Sequence, residues 1–225
     1  MKALSFLSAL IVASTLTSAS AQIIAQWTFE TSIPTTAGPH AAEVGTGSAS
    51  ASHAGAAVYS NPVGNGSAES FSANTWAVND YFQFRLGTVG FSRIGVSFDQ
   101  TSSNTGPRDY DLTYSTDGVN FTLLASYSVL ANASPNPTWS SGTYQSLFNF
   151  NYDLSSISAL DNAADVYFRL VNTSTVSANG ATVAAAGTSR LDNFTVYVVP
   201  EPTGLTLAAL GFGLLLAAQR FIRRN

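Results

Sequence analysis

The sequence contains no cysteine, which removes disulfides, thiol nucleophiles and thiolate metal sites together. Lysine occurs once, at Lys2, and only 10% of the residues are charged. Histidine occurs twice, at His40 and His53, both in a run of alanine, glycine and serine. A Ser-His-Asp hydrolase needs a histidine on a rigid element beside its nucleophile, and no G-x-S-x-G elbow is present. A zinc site would need more imidazoles or thiolates than the chain supplies. Both histidines therefore read as solvated loop residues. Residues 22–199 hold five arginines against twelve carboxylates, a formal charge of −7. An acidic body without lysine argues against nucleic acid or anionic lipid as its partner.

The two ends differ from the body. Residues 1–21 carry one charge, an apolar segment from Ala3 to Val12 and a Ser/Thr-rich stretch that closes on Ala19-Ser20-Ala21. That is the layout of a secretory signal peptide, cut between Ala21 and Gln22, with translocon and signal peptidase as partners. The other end reads Val-Pro-Glu-Pro at 199–202, an apolar stretch at 204–218 and Arg220, Arg223 and Arg224. As a helix, 204–218 would reach about 22 Å, short of the ~30 Å hydrocarbon core. The arginines predict a cytoplasmic end and an outward-facing body, and Pro200 and Pro202 keep the junction extended.

Between the ends the period is two. In "YFQFRLG" Phe82, Phe84 and Leu86 share one face, and Gln83 and Arg85 the other. Ile94, Val96 and Phe98 repeat the pattern, as do Val166, Phe168 and Leu170, and then Phe194, Val196 and Val198. Asp117-Gly118, between two such runs, predicts a two-residue type I′ hairpin. "LSSISALDNAAD" predicts a short helix capped by Ser155 or Ser156. The stretch 31–55, poor in large apolar residues, predicts a long flexible loop. The whole predicts an all-β antiparallel β-sandwich, jelly-roll-like, with one short C-terminal transmembrane helix. An outer-membrane barrel is excluded because the outward positions carry Arg, Gln, Ser and Asn.

The tail Pro200-Glu201-Pro202, the apolar stretch and Arg220, Arg223 and Arg224 resemble the PEP-CTERM sorting signal of exported Gram-negative proteins. That resemblance implies an exosortase-type membrane enzyme as processing partner, and an inner-membrane intermediate on the way to the cell surface or extracellular matrix. The body, through "AQWTFE", "YSTDGVNF" and "SRLDNFTV", looks like the β-sandwich proteins that carry this signal. "YSTDGVNF" also occurs in galactose-binding-like modules. Modules of that type often clamp first and last strands with calcium, which here implies Glu30 and Asp192 as ligands, completed by Asn193 and backbone carbonyls.

No residue pattern identifies a reaction. The resemblance implies a structural or adhesive role associated with exopolysaccharide. The rival reading is a carbohydrate-binding module, with Trp76 and Trp139 as its sugar contacts and Tyr81, Tyr144 and Tyr152 near them in sequence. A glycan-degrading enzyme is the third reading, since a sandwich can assemble two carboxylates, although Asp99, Asp109, Asp111 and Asp117 sit where turn formers sit.

Overall fold

Period-two stretches fold as strands because alternate side chains then leave the backbone on opposite faces, one to the core and one outward. A computed structural model describes residues 21–201. Within them Ala21–Val199 forms one unit of its own. Its strands are β1 (Gln22–Trp27), β2 (His40–Ala41), β3 (Ser48–Ser52), β4 (Tyr59–Ser60), β5 (Phe71–Ala73), β6 (Tyr81–Leu86) and β7 (Ile94–Ser102). They continue as β8 (Asp109–Ser115), β9 (Thr122–Ser128), β10 (Asn149–Asp153), β11 (Val166–Asn172) and β12 (Ser189–Val198).

These make two six-stranded antiparallel sheets. The first runs β10-β7-β12-β5-β4, with β1 also on β12, and the second runs β2-β3-β6-β11-β8-β9. β12 is the axis of the first sheet. It pairs with β7 along its length on one side, and on the other with β5 near its start and β1 near its end. The sandwich expected from the sequence is this arrangement.

The core is aromatic and is supplied by both sheets. Phe194 of β12 lies flat on Phe84 of β6, with ring centroids 3.5 Å apart, and stands 5.8 Å from Phe98. Trp27 packs edge-on to both Phe84 and Phe194. All of these are fully buried, as are Phe82, Val96, Leu112, Val166, Phe168, Leu170 and Val196. "AQWTFE" and "SRLDNFTV" are thus the first and last strands meeting through Trp27 and Phe194.

Four local expectations change. The stretch 31–55, read as a long flexible loop, carries β2 and β3, and its Ala49 is fully buried opposite Phe84. Small residues suffice because β6 delivers the bulk and β3 need only bring its backbone close. At Gly47 a Cβ would lie 2.7 Å from the Trp27 ring. His40 is buried, with its ring edge-on to Phe71 and Nε2 2.9 Å from the Thr36 carbonyl. His53 is half-buried against Trp76, 4.4 Å between centroids, and burial lowers its pKa despite the field of Asp80. Neither histidine is a solvated loop residue.

The expected helix in "LSSISALDNAAD" is a single 3-10 turn, Ser158–Leu160, without a side-chain cap. The Asp161 carboxylate takes the Arg93 N–H and Asn162 Oδ1 the Gly90 N–H, which pins this segment to the β6–β7 connection. The Asp117-Gly118 turn is longer than two residues, since β8 ends at Ser115 and β9 begins at Thr122. Asp117 Oδ1 accepts the N–H groups of Val119 and Asn120, and Ser115 Oγ accepts that of Gly118. Gly118 alone of the pair has positive φ, 75°, and a Cβ there would sit 3.1 Å from the Tyr167 ring. Gly118→Ala should therefore destabilise the domain by about 1–2 kcal/mol, the left-handed backbone cost for an L-residue, read by urea titration.

Candidate functional site

The outward face of the second sheet gathers the functional groups the core does not use. On β6 the residues between Phe82, Phe84 and Leu86 point outward, namely Tyr81, Gln83 and Arg85. On β11 these are Tyr167, Arg169 and Val171, and on β8 Asp109, Asp111 and Thr113. Register sets them in rows, with Gln83, Arg169 and Thr113 side by side, and Tyr81, Val171 and Asp111 in the next.

Arg169 is the centre of this face. Its Nε donates to Gln83 Oε1 at 2.8 Å. Its guanidinium carbon lies over the Tyr81 ring, 4.1 Å from the centroid, and over that of Phe121, at 3.7 Å. Phe121 arrives from the β8–β9 connection, so the hairpin chemistry of Asp117 and Gly118 builds this stack. Beside it Arg85 pairs with Asp165 at 2.8 Å, its guanidinium 5.5 Å from the Tyr167 ring centroid. Arg169 has no carboxylate within 4 Å among the described residues, and partial burial lowers its pKa.

At the other end of the face an open pocket of about 460 Å³ is lined by Asp109, Asp111, Ser126, Ser128 and Thr173, together with Tyr110 and Tyr127. Ser126 Oγ donates to Asp111 at 2.6 Å and Ser128 Oγ to Asp109 at 2.9 Å. Arg108, with help from Ser174 and Ser128, holds the Asp109 carboxyl down at about 2. A carboxylate so held is a poor proton donor for glycoside cleavage, which needs a group that keeps its proton near neutrality. The face thus gathers rings, guanidinium groups, hydroxyls and carboxylates on one side of the second sheet.

The sites read from the sequence fall elsewhere. Trp76 is 7% exposed and Trp139 2%. Trp76 Nε1 donates to the Ala73 carbonyl, and its ring packs on Phe82 and Tyr110. Trp139 Nε1 donates to the Val63 carbonyl and its ring meets Phe148. Neither can offer a face to a sugar. Both lie in connecting segments that fold back onto the sandwich, which no local pattern announces. Of the tyrosines named with them, Tyr81 does reach the outward face of the second sheet.

Glu30 and Asp192 both attach to the β4–β5 connection. Glu30 Oε1 accepts the Glu69 N–H at 2.9 Å, and Asp192 Oδ2 accepts from Asn65 N–H at 2.8 Å and Ser67 Oγ at 2.6 Å. Asn193 gives its N–H to Asp192 Oδ1 and its side-chain amide to Asp192 Oδ2 and Asp99 Oδ2. Its left-handed φ of 52° marks the irregularity in β12 that permits this. Asn65 in turn exchanges two hydrogen bonds with the Gln145 backbone. The Asp192 oxygens thus face N–H and O–H donors, whereas calcium requires six to eight oxygens turned toward it. Among the described residues no three His, Cys, Asp or Glu side chains gather around a common point. As it stands this arrangement does not fit a resident calcium ion. It fits a clamp that ties two loops to the first sheet.

Gln22 opens β1 opposite Val198, and Pro200 and Glu201 follow β12. Ala19, Pro202, Arg220, Arg223, Arg224 and the apolar stretch 204–218 lie outside the described residues. Among the described residues no helix is long and apolar enough to cross a membrane.

No family model and no curated protein sequence matches the chain. Solved structures do resemble it. The K2 cleaved adhesin domain of Lys-gingipain aligns over 78% of this chain and 98% of its own, at 14% identity and a TM-score of 0.45. The CBM22-2 xylan-binding domain from Paenibacillus barcinonensis Xyn10C aligns over 77% and 98%, at 11% identity and a TM-score of 0.43. The CBM22-1–GH10 modules of Clostridium thermocellum xylanase 10B, complexed with xylohexaose, align over 82% of this chain and 30% of theirs, at 12% identity and a TM-score of 0.44.

Proposed function

We propose that this is an exported, jelly-roll-like sandwich protein that binds polysaccharide across the outward face of its second sheet. The observation that carries the reading is the strip formed by Tyr81, Arg169, Phe121, Arg85 and Tyr167 beside the hydroxyl- and carboxylate-lined pocket at Asp109 and Asp111. Sugar rings present C–H faces that stack on aromatic and guanidinium planes, and hydroxyls that bond to carboxylates, serines and threonines. The tail motif supplies the destination. Sorting through Pro200-Glu201-Pro202 by an exosortase-type enzyme would deliver the body to the surface or matrix, where exopolysaccharide is the polymer at hand. On this reading the adhesive role is the consequence of binding.

The test is a glycan array with the purified body, residues 22–199, which closes its own core. Tyr81→Ala and Tyr167→Ala should each weaken binding about tenfold, the loss of roughly 1–1.5 kcal/mol of stacking. Trp76 and Trp139, being buried, should affect binding only by unfolding the domain. An array on which the folded body retains no glycan would sink the proposal.

A further inference from the structure

We infer that Arg169 reads a carboxylate, so that the polysaccharide bound on this face carries uronic acid residues. The inference rests on the polysaccharide-binding reading of this face and specifies its ligand. The Arg169 guanidinium carbon lies over two rings, Tyr81 at 4.1 Å and Phe121 at 3.7 Å, and its Nε is taken by Gln83. What is left for a ligand is the edge bearing the two terminal nitrogens, which have no acceptor among the described residues. That edge is a planar fork whose two parallel N–H bonds match a carboxylate. A neutral hydroxyl would satisfy only one of them.

The neighbouring arginine on the same face differs, because Asp165 neutralises Arg85 at 2.8 Å. Arg169 is therefore the unbalanced cation of the face. A guanidinium already held by two ring contacts and a hydrogen bond loses little side-chain entropy when a ligand docks, which favours a specific pair over a diffuse one. The remaining charges refine the ligand. The body carries −7 overall, so its long-range field opposes a dense polyanion. Beyond ~8 Å at physiological ionic strength that field is screened, so a single carboxylate docked on Arg169 feels that cation and Asp111 in the next row more than the body as a whole. A chain with spaced uronic acids between neutral sugars satisfies both conditions, while a heavily sulfated chain does not.

The experiment compares one backbone in two charge states: galacturonic acid oligosaccharides and their fully methyl-esterified forms, titrated calorimetrically into the wild-type body. The acid should bind about 10–100-fold tighter, the value of a charge-assisted fork. Arg169→Gln should abolish that preference, and Arg169→Lys should lose most of it by keeping charge without the planar fork. Arg190→Gln, on the first sheet, should leave the preference intact. Thermal melts establish that each variant is folded, and the wild-type comparison decides alone if one is not. Equal binding of acid and ester overturns the inference and leaves the polysaccharide reading standing. Binding that follows charge density, is strongest for sulfated chains and ignores Arg169→Gln also overturns it. Failure of both forms, and of every neutral glycan on the array, removes the underlying reading as well.

Discussion

Phe194→Ala should lower the melting temperature by about 6–20 °C, from a loss of roughly 3–5 kcal/mol at 2–4 °C per kcal/mol in a domain of this size. Phe194 is fully buried where the two sheets meet and contacts Trp27, Phe84, Phe98 and Phe168. Removing the ring deletes the transfer energy of its buried surface and leaves a void between aromatic walls, whose flat shapes collapse poorly into it. No disulfide shares the load. Phe194→Leu should recover part of the loss by refilling some of the volume. Equal melts for the alanine variant and wild type, followed by near-UV circular dichroism, would show that the sheets do not close on this ring.

The second large effect concerns pH. Asp192 is fully buried, and its burial, with Asp99 beside it, pushes the carboxyl up from 3.8 to about 7 against the pull of its donors. Between those values the folded state holds a proton that the unfolded chain has released. Unfolding then releases a proton, so stability is highest near pH 4 and falls as pH rises toward 7, levelling above it. The full effect is on the order of 4 kcal/mol. Burial raises Asp99 as well, which acts in the same direction. Two groups act the other way. Asp109, held at about 2, contributes stability above pH 4 that is lost as pH falls through 2. His53, lowered from 6.5, favours the folded state as pH rises. Comparing wild type with Asp192→Asn isolates the term of interest. Urea titrations between pH 4 and 8 should show a slope in the difference that vanishes above 7. A difference independent of pH would mean that Asp192 is ionised throughout and that its donors outweigh its burial.

The sandwich was legible because its information is periodic. Phe82, Phe84, Leu86, Val166, Phe168 and Leu170 announce their faces by alternation alone. β3 was not legible, since Ser-Ala-Ser-Ala-Ser carries no hydrophobic signal and acquires its place from Phe84 across the sheet. The site divides the same way. Alternation puts Gln83 and Arg85 outward, but that Phe121 bends over Arg169 depends on a turn whose geometry comes from Asp117 and Ser115. The tryptophans misled for a related reason. A loop residue can be solvated or folded back, and sequence spacing is the same in both cases. Asp192 and Asn193 lie within the last strand, three and four residues after its start at Ser189, and not at its beginning. Their use as a loop clamp requires Asn65 and Ser67, more than a hundred residues away.

The position of β12 has a mechanical consequence. The strand runs into the exit of the body at Val199 and is bordered along its length by β7, and on its other side by β5 and β1. A pull applied at Val199, against resistance offered by a polymer held on the second sheet, would act along this strand. The hydrogen bonds flanking it lie perpendicular to that direction. They would therefore be loaded in shear, many at once, instead of being peeled one after another from an edge. A hinge-like failure would need the chain to exit from an edge strand such as β4, β9 or β10. If the body is tethered through this exit and binds polymer as proposed, a load between the two would fall on its central strand.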